Sequence, residues 1–150
     1  MRATRAFSAV ALRATASPGR EVLAEGSLLV HYSGSSPLST IRSYLNTGYA
    51  GGAWNGVGID TGKADANHGL GYADSADGVV SGLAVNTVLV KDTRYGDANL
   101  DGKVDFADLL IESQNTPINT GNATWDKGDF NYDGNVGFAD LLLLSQNFGH

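Results

Sequence analysis

The sequence predicts a mostly α C-terminal pair of loop–helix units preceded by a small α+β segment. Three observations carry that expectation. A twelve-residue acidic pattern at 97–108 recurs 32 residues later at 129–140. Each copy runs into apolar residues spaced i, i+3 and i+4, Phe106, Leu109 and Leu110 and then Phe138, Leu141 and Leu142, which is one face of a short helix. Upstream, short apolar runs alternate with glycine-rich stretches. The expected division is 1–26 as a leader or remnant of upstream sequence, 27–91 as a small α+β module, and 92–150 as the repeat domain.

In chain order, residues 1–20 carry Arg2, Arg5, Arg13 and Arg20 and no acid. The apolar stretch 7–12 is too short for a secretory h-region, and Arg13 interrupts it. An Arg-rich, acid-poor leader also fits a transit peptide. The plainer expectation is the tail of a longer secreted protein, or a misplaced start. Residues 28–32 read as a strand, and 37–45 as a short helix starting near Ser36 with Leu38, Ile41 and Leu45 on one face. Residues 48–58 read as a glycine-rich loop around Tyr49 and Trp54, and 60–82, rich in Ala, Gly and Asp, yield no element. Residues 85–90 read as a second strand leading straight into the first acidic pattern. Such a patch of about 65 residues is marginal alone and is expected to pack on the repeats. Residues 120–122 read as a turn, and no helical pattern precedes either acidic loop.

The spacing of the acidic pattern has a chemical reason. Side-chain oxygens fall at positions 1, 3, 5 and 12, which are Asp97, Asn99, Asp101 and Asp108 in the first copy and Asp129, Asn131, Asp133 and Asp140 in the second. Glycine stands at position 6, as Gly102 and Gly134. A hard cation that wants six to eight oxygens collects them in this way around a sharp turn, so two calcium ions are expected. Position 7 supplies a backbone carbonyl, so Lys103 and Asn135 differ freely. Position 9 is Asp105 in the first loop and Gly137 in the second, which lacks that oxygen and is expected to be the weaker site. From Gly96 to Asn115, 14 of 20 residues are identical to the segment from Gly128 to Asn147, so the two units are near copies.

Composition narrows the classes. Net charge is −6, and residues 92–140 hold ten acids against Arg94, Lys103 and Lys127. Without a cation that segment repels itself, and no basic stripe exists to meet nucleic-acid phosphates. Cysteine is absent, so disulfides and thiolate metal sites are excluded. No apolar run approaches the 18 or more residues of a membrane span.

The tandem D-x-N-x-D-G-x-V-x-x-x-D loops with their Leu-rich tails resemble the type I dockerin domain over 95–149. The variant with Phe-Ala-Asp-Leu-Leu and Ser-Gln-Asn is similar to repeats that end large secreted proteins of planctomycete-type bacteria. The stretch with Ser35, Pro37, Leu38, Tyr44, Gly48, Trp54 and Gly56 is similar to the module preceding such repeats. The resemblance implies two calcium-loaded loops packed back to back, two antiparallel helices, and a docking role. It further implies a cohesin partner and a secreted or cell-surface protein, usually one acting on polysaccharide. Positions 10 and 11, which carry cohesin choice in that family, are Phe106-Ala107 and Phe138-Ala139 here, and Phe at position 10 reads as core before it reads as partner contact.

No enzyme is expected. Asp60, Asp65, Asp74 and Asp77 are candidate glycosidase carboxylates, but they lie in a short stretch with no cleft, where Asp74 and Asp77 read as turn caps. His31 and His68 have no triad partners. The alternatives to a docking module are a calcium-rigidified structural end of an exported protein and a small carbohydrate binder stacking sugars on Tyr49 and Trp54. The repeats differ where Ile111-Glu112 becomes Leu143-Leu144. Glu112, Ser113 and Gln114 with Leu144, Ser145 and Gln146 are therefore the expected partner face, Leu144 lying outward as an apolar contact with polar neighbours.

Overall fold

A computed structural model describes residues 4–8, 20–22, 27–56, 58–61 and 65–150. Much of the expected leader and parts of the unassigned stretch 60–82 therefore lie outside the described residues. The chain forms strands β1 (Thr4–Ser8), β2 (Arg20–Val22) and β3 (Ser27–His31), then helix α1 (Leu38–Tyr49). Strands β4 (Gly58–Asp60), β5 (His68–Asp74) and β6 (Thr87–Arg94) follow, then helices α2 (Phe106–Asn115) and α3 (Phe138–Asn147). Short 3-10 turns stand at Ser75–Asp77 and Trp125–Lys127. The main sheet has the order β1-β3-β6-β5, with β6 antiparallel to both β3 and β5 and β1 added in parallel at the edge.

The expectation of a mostly α pair of units preceded by a small α+β segment is overturned. Among the described residues, three helices share one core with the antiparallel strands β3, β6 and β5, which is an α+β architecture. The reason lies in β6, which runs unbroken through the boundary expected at 91/92 and delivers the chain directly into the first acidic loop. Leu28, Val30, Val88 and Val90, alternating along β3 and β6, bury toward Ile41 and Leu45 of α1 and toward Trp125 and, in the second repeat, Phe130 and Tyr132.

Strand β5 explains why 60–82 resisted assignment. Its sequence, His-Gly-Leu-Gly-Tyr-Ala-Asp, reads as a loop, yet the glycines make room for aromatic rings. A Cβ on Gly71 would fall 2.8 Å from the Trp125 indole nitrogen, and one on Gly69 would fall 2.7 Å from the Tyr95 ring. The free edge of β5 is closed by Tyr132, whose hydroxyl donates to the Leu70 carbonyl at 2.6 Å and accepts from the Leu70 amide at 3.0 Å. The second repeat thus pairs with a sheet edge that would otherwise be open.

Each segment after a repeat helix crosses to the other repeat's loop. Ile118, beyond α2, bridges Val136 in antiparallel fashion. Gly149 and His150, beyond α3, bond the backbone of Val104 at 2.8 Å each. The helices cross likewise: Leu144 of α3 lies on Gly96 before the first loop, and Glu112 of α2 lies on Gly128 before the second.

Candidate metal centres

Both loops fold as their spacing requires. Oxygens of Asp97, Asp101 and Asp108 all lie within 4.8 Å of one another, and those of Asp129, Asp133 and Asp140 do the same. Glycine at position 6 is obligatory, since Gly102 and Gly134 sit at φ +90° and +81°. A lattice of backbone donors aims the carboxylates. In the first loop, Gly102 N–H donates to Asp97 Oδ2 at 3.0 Å and Lys103 N–H to Asp101 Oδ1 at 2.9 Å. In the second, Gly134 N–H donates to Asp129 Oδ2 at 2.8 Å and Asn135 N–H to Asp133 Oδ1 at 2.8 Å. Asp108 and Asp140 take the amides of Asp105 and Gly137 at 2.9 Å each, at the first turn of α2 and α3, where the helix dipole favours a carboxylate. Asn99 and Asn131 each accept the amide two residues on, which places their side-chain oxygens along the loop turn.

Asp105 is not among the converging oxygens. Its carboxylate caps α2 by accepting from the Ala107 amide at 3.0 Å. The side chain of Asn135 is engaged outside the cluster, accepting from the Gly121 amide at 3.2 Å, and Lys103 is exposed, which leaves position 7 to its backbone carbonyl. Two groups unforeseen from the sequence support the first cluster: Thr93 Oγ1 donates to Asp97 Oδ2, and Trp125 Nε1 donates to the Asp97 carbonyl at 2.7 Å. The tryptophan stands three residues before the second repeat, so the segment leading into the second loop supports the first.

The donor set suits a hard cation. It consists of oxygens alone, and Asp129 Oδ1 is buried without any hydrogen-bond partner, an acceptor aimed at nothing the protein provides. Burial pushes the Asp129 carboxyl up to about 7, with Asp140 and Asp133 adding to it, and burial pushes Asp108 up to about 6. Asp97 and Asp140 are raised as well, again chiefly by burial. Folded-state values above the unfolded carboxylate range of about 4 mean that the metal-free fold prefers its carboxyls protonated. That stabilisation is present at low pH and lost as pH rises through about 6 to 7. In chelator, the protein is expected to melt at a higher temperature at pH 5 than at pH 8, and calcium should reverse that order. Thermal melts at the two pH values with and without calcium check this.

The expected helix faces are reversed. Leu144 is 1 % exposed and Glu112 2 % exposed, so neither offers itself to a partner, whereas Ser113, Gln114, Ser145 and Gln146 are exposed as expected. Phe106 and Phe138, read as core, are 66 % and 73 % exposed, and Leu110 and Leu142 stand open beside them. The cause is the loop closure itself. Asp108 and Asp140 must point inward to reach their clusters, and at 100° per residue the positions two before and two after lie on the opposite face. Residues four further on, Glu112 and Leu144, share the inward face.

The other candidate sites dissolve into structure. Trp54 is buried with its Nε1 donating to Tyr95 OH at 3.0 Å, and its ring meets Tyr49 edge-on at 5.2 Å, so no open sugar-stacking platform exists there. Asp74 caps the Ser75–Asp77 turn through the Ala76 amide at 3.0 Å and accepts from Tyr32 OH at 2.8 Å and from Ser36 Oγ. The His68 ring, at the start of β5, bonds Asp65, and the His31 ring bonds Thr87. Among the described residues no helix is long and apolar enough to cross a membrane.

No curated protein and no solved structure matches the chain. Residues 95–149, which hold both carboxylate clusters and both repeat helices, match the family model of the dockerin type I domain, and this segment of the chain is a dockerin domain.

Proposed function

We propose that the chain binds two calcium ions, one in each loop, and that the loaded repeats dock onto a cohesin-type domain, attaching a secreted, polysaccharide-acting or cell-surface protein. Dockerin domains are non-catalytic, calcium-binding attachment modules, which gives the coarse function. The observation that carries the finer reading is the pair of three-carboxylate clusters, each gathered within 4.8 Å. In the first site, Asp97, Asn99, Asp101 and Asp108 with the Lys103 carbonyl would hold the ion. Asp105 would act through water while it caps α2. In the second, Asp129, Asn131, Asp133 and Asp140 with the Asn135 carbonyl would do so. Bound calcium supplies the positive charge that these buried carboxylates lack; the loop amides orient the carboxylates, and the sheet fixes the ends of the loops.

The docking face is the outward stripe of each repeat helix. Phe106, Leu110, Ser113 and Gln114 follow i, i+4, i+7 and i+8 on α2, and Phe138, Leu142, Ser145 and Gln146 repeat them on α3. A groove of about 400 Å³ between the helices, lined by Leu109, Glu112, Thr116, Phe138 and Leu141 among others, adds a concave apolar element. Large exposed aromatics surrounded by small polar groups are the composition of a partner hot spot. The full chain is expected to bind a cohesin-type domain in calcium and not in chelator. Replacing both Phe106 and Phe138 by Asp should cost more than about 2 kcal/mol of that binding while both calcium sites persist. Surface-immobilised cohesin-type domains provide the measurement, and equal binding by the double variant would remove this face from the proposal.

A further inference from the structure

Two buried polar atoms around the second loop lack partners: Asp129 Oδ1, an acceptor, and Arg42 Nε, a donor on α1. Arg42 belongs to α1, outside the dockerin segment. Its Nη2 donates to the carbonyl of Gly121, a residue before the loop, and both that carbonyl and Nη2 crowd Gly134 within the loop. A Cβ on Gly134 would fall 2.3 Å from the Gly121 oxygen and 2.6 Å from the Arg42 nitrogen. The position-6 turn is therefore roofed by an arginine. Gly134 N–H in turn donates to Asp129 Oδ2 at 2.8 Å, so the guanidinium stands over the turn that aims this carboxylate. An arginine cannot shed its proton, so the charge is permanent.

We propose that Arg42 is a fixed counter-cation of the second loop, its charge standing over the Gly134 turn beside the ligand carboxylates, so that α1 sets the calcium affinity of the second site. The proposal rests on the calcium reading of the loop. A permanent positive charge beside the ligands lowers the cost of the empty loop and opposes a dication there. The first loop has a looser counterpart: Lys91 Nζ donates to the Leu100 carbonyl at 3.0 Å and lies 3.9 Å from where a Cβ on Gly102 would stand, against 2.6 Å for Arg42 at Gly134. The upstream segment would then tune the dockerin segment, beyond supporting it.

The test is a calorimetric calcium titration of the full chain carrying Asp101→Ala, so that the second loop is read alone. Adding Arg42→Gln, which keeps a donor for Gly121 and removes the charge, should tighten calcium binding roughly tenfold. The same variant should melt at a lower temperature in chelator, with a smaller shift at saturating calcium. Adding Arg42→Lys, which keeps the charge, should leave the affinity within about threefold of the Asp101→Ala parent. Unchanged or weakened binding in Arg42→Gln would overturn the proposal, as would equal effects of both substitutions, which would make Arg42 a purely structural brace. If the Asp101→Ala parent itself binds no calcium, the reading of the second loop falls and this inference falls with it.

Discussion

Leu144→Glu is expected to unfold the protein at ordinary temperature. Leu144 is fully enclosed, and its backbone and Cβ lie against Gly96, at the point where β6 hands the chain to the first acidic loop. A glutamate there places a charge in an apolar core that Leu144 now fills. The expected cost is about 3–5 kcal/mol, a large share of the stability of a small fold. Glu112 occupies the equivalent place in the first repeat, over Gly128, with a partner for its carboxylate, which accepts from Thr116 Oγ1 at 3.1 Å. Phe138→Glu, six residues away on the outward face, should leave the melting temperature within a few degrees of the parent. Thermal denaturation of the two variants followed by circular dichroism separates the faces. A folded Leu144→Glu together with an unfolded Phe138→Glu would restore the face assignment that spacing alone suggested.

That contrast shows where the sequence was legible and where it was not. Ligand positions were legible because coordination chemistry ties residue type to spacing, so Asp97, Asp101 and Asp108 could be placed in one cluster without any knowledge of the fold. Helix existence was legible from apolar periodicity for α1, α2 and α3, although α1 runs on from the expected 37–45 to Tyr49, into the stretch expected to be a loop. The direction of the repeat helices was misread because each carries apolar residues on both faces. Phe106, Leu109 and Leu110 form as regular a stripe as any core face. The deciding signal was nonetheless present: a carboxylate that must close a loop fixes its own face, and the Phe and Leu two residues to either side are then forced outward.

The sheet was half legible. Strand β3 was read nearly whole, since Leu28 to Tyr32 is an ordinary apolar run, and β6 was cut short because Lys91, Asp92 and Arg94 look like a departure from the sheet. They are part of it, paired with Gly71, Leu70 and His68. Strand β5 could not be read at all, because its glycines answer to rings that arrive from Tyr95 and Trp125. The α+β outcome follows from the same long-range packing. Trp125, Phe130 and Tyr132 belong to the dockerin segment by sequence and to the sheet by contact, with Trp125 and Phe130 meeting edge-on at 5.2 Å and Tyr132 stacked over Tyr72 at 6.4 Å. No local pattern encodes that association.

Calcium binding is the claim on which the remaining assignments stand, and the loss of a whole site is the largest effect expected of any surface substitution. Asp101 and Asp133 are the exposed members of the two clusters, so removing them takes away a ligand without opening the core. Isothermal titration calorimetry of the full chain should give two calcium ions per molecule. Asp101→Ala and Asp133→Ala should each leave one, the altered site weakened roughly a hundredfold or more, and the double variant should leave none. All three should keep the near-ultraviolet signal of the buried Trp54 and Trp125 cluster. A parent protein that takes up one ion or none at millimolar calcium, or variants that still bind two, would contradict the account.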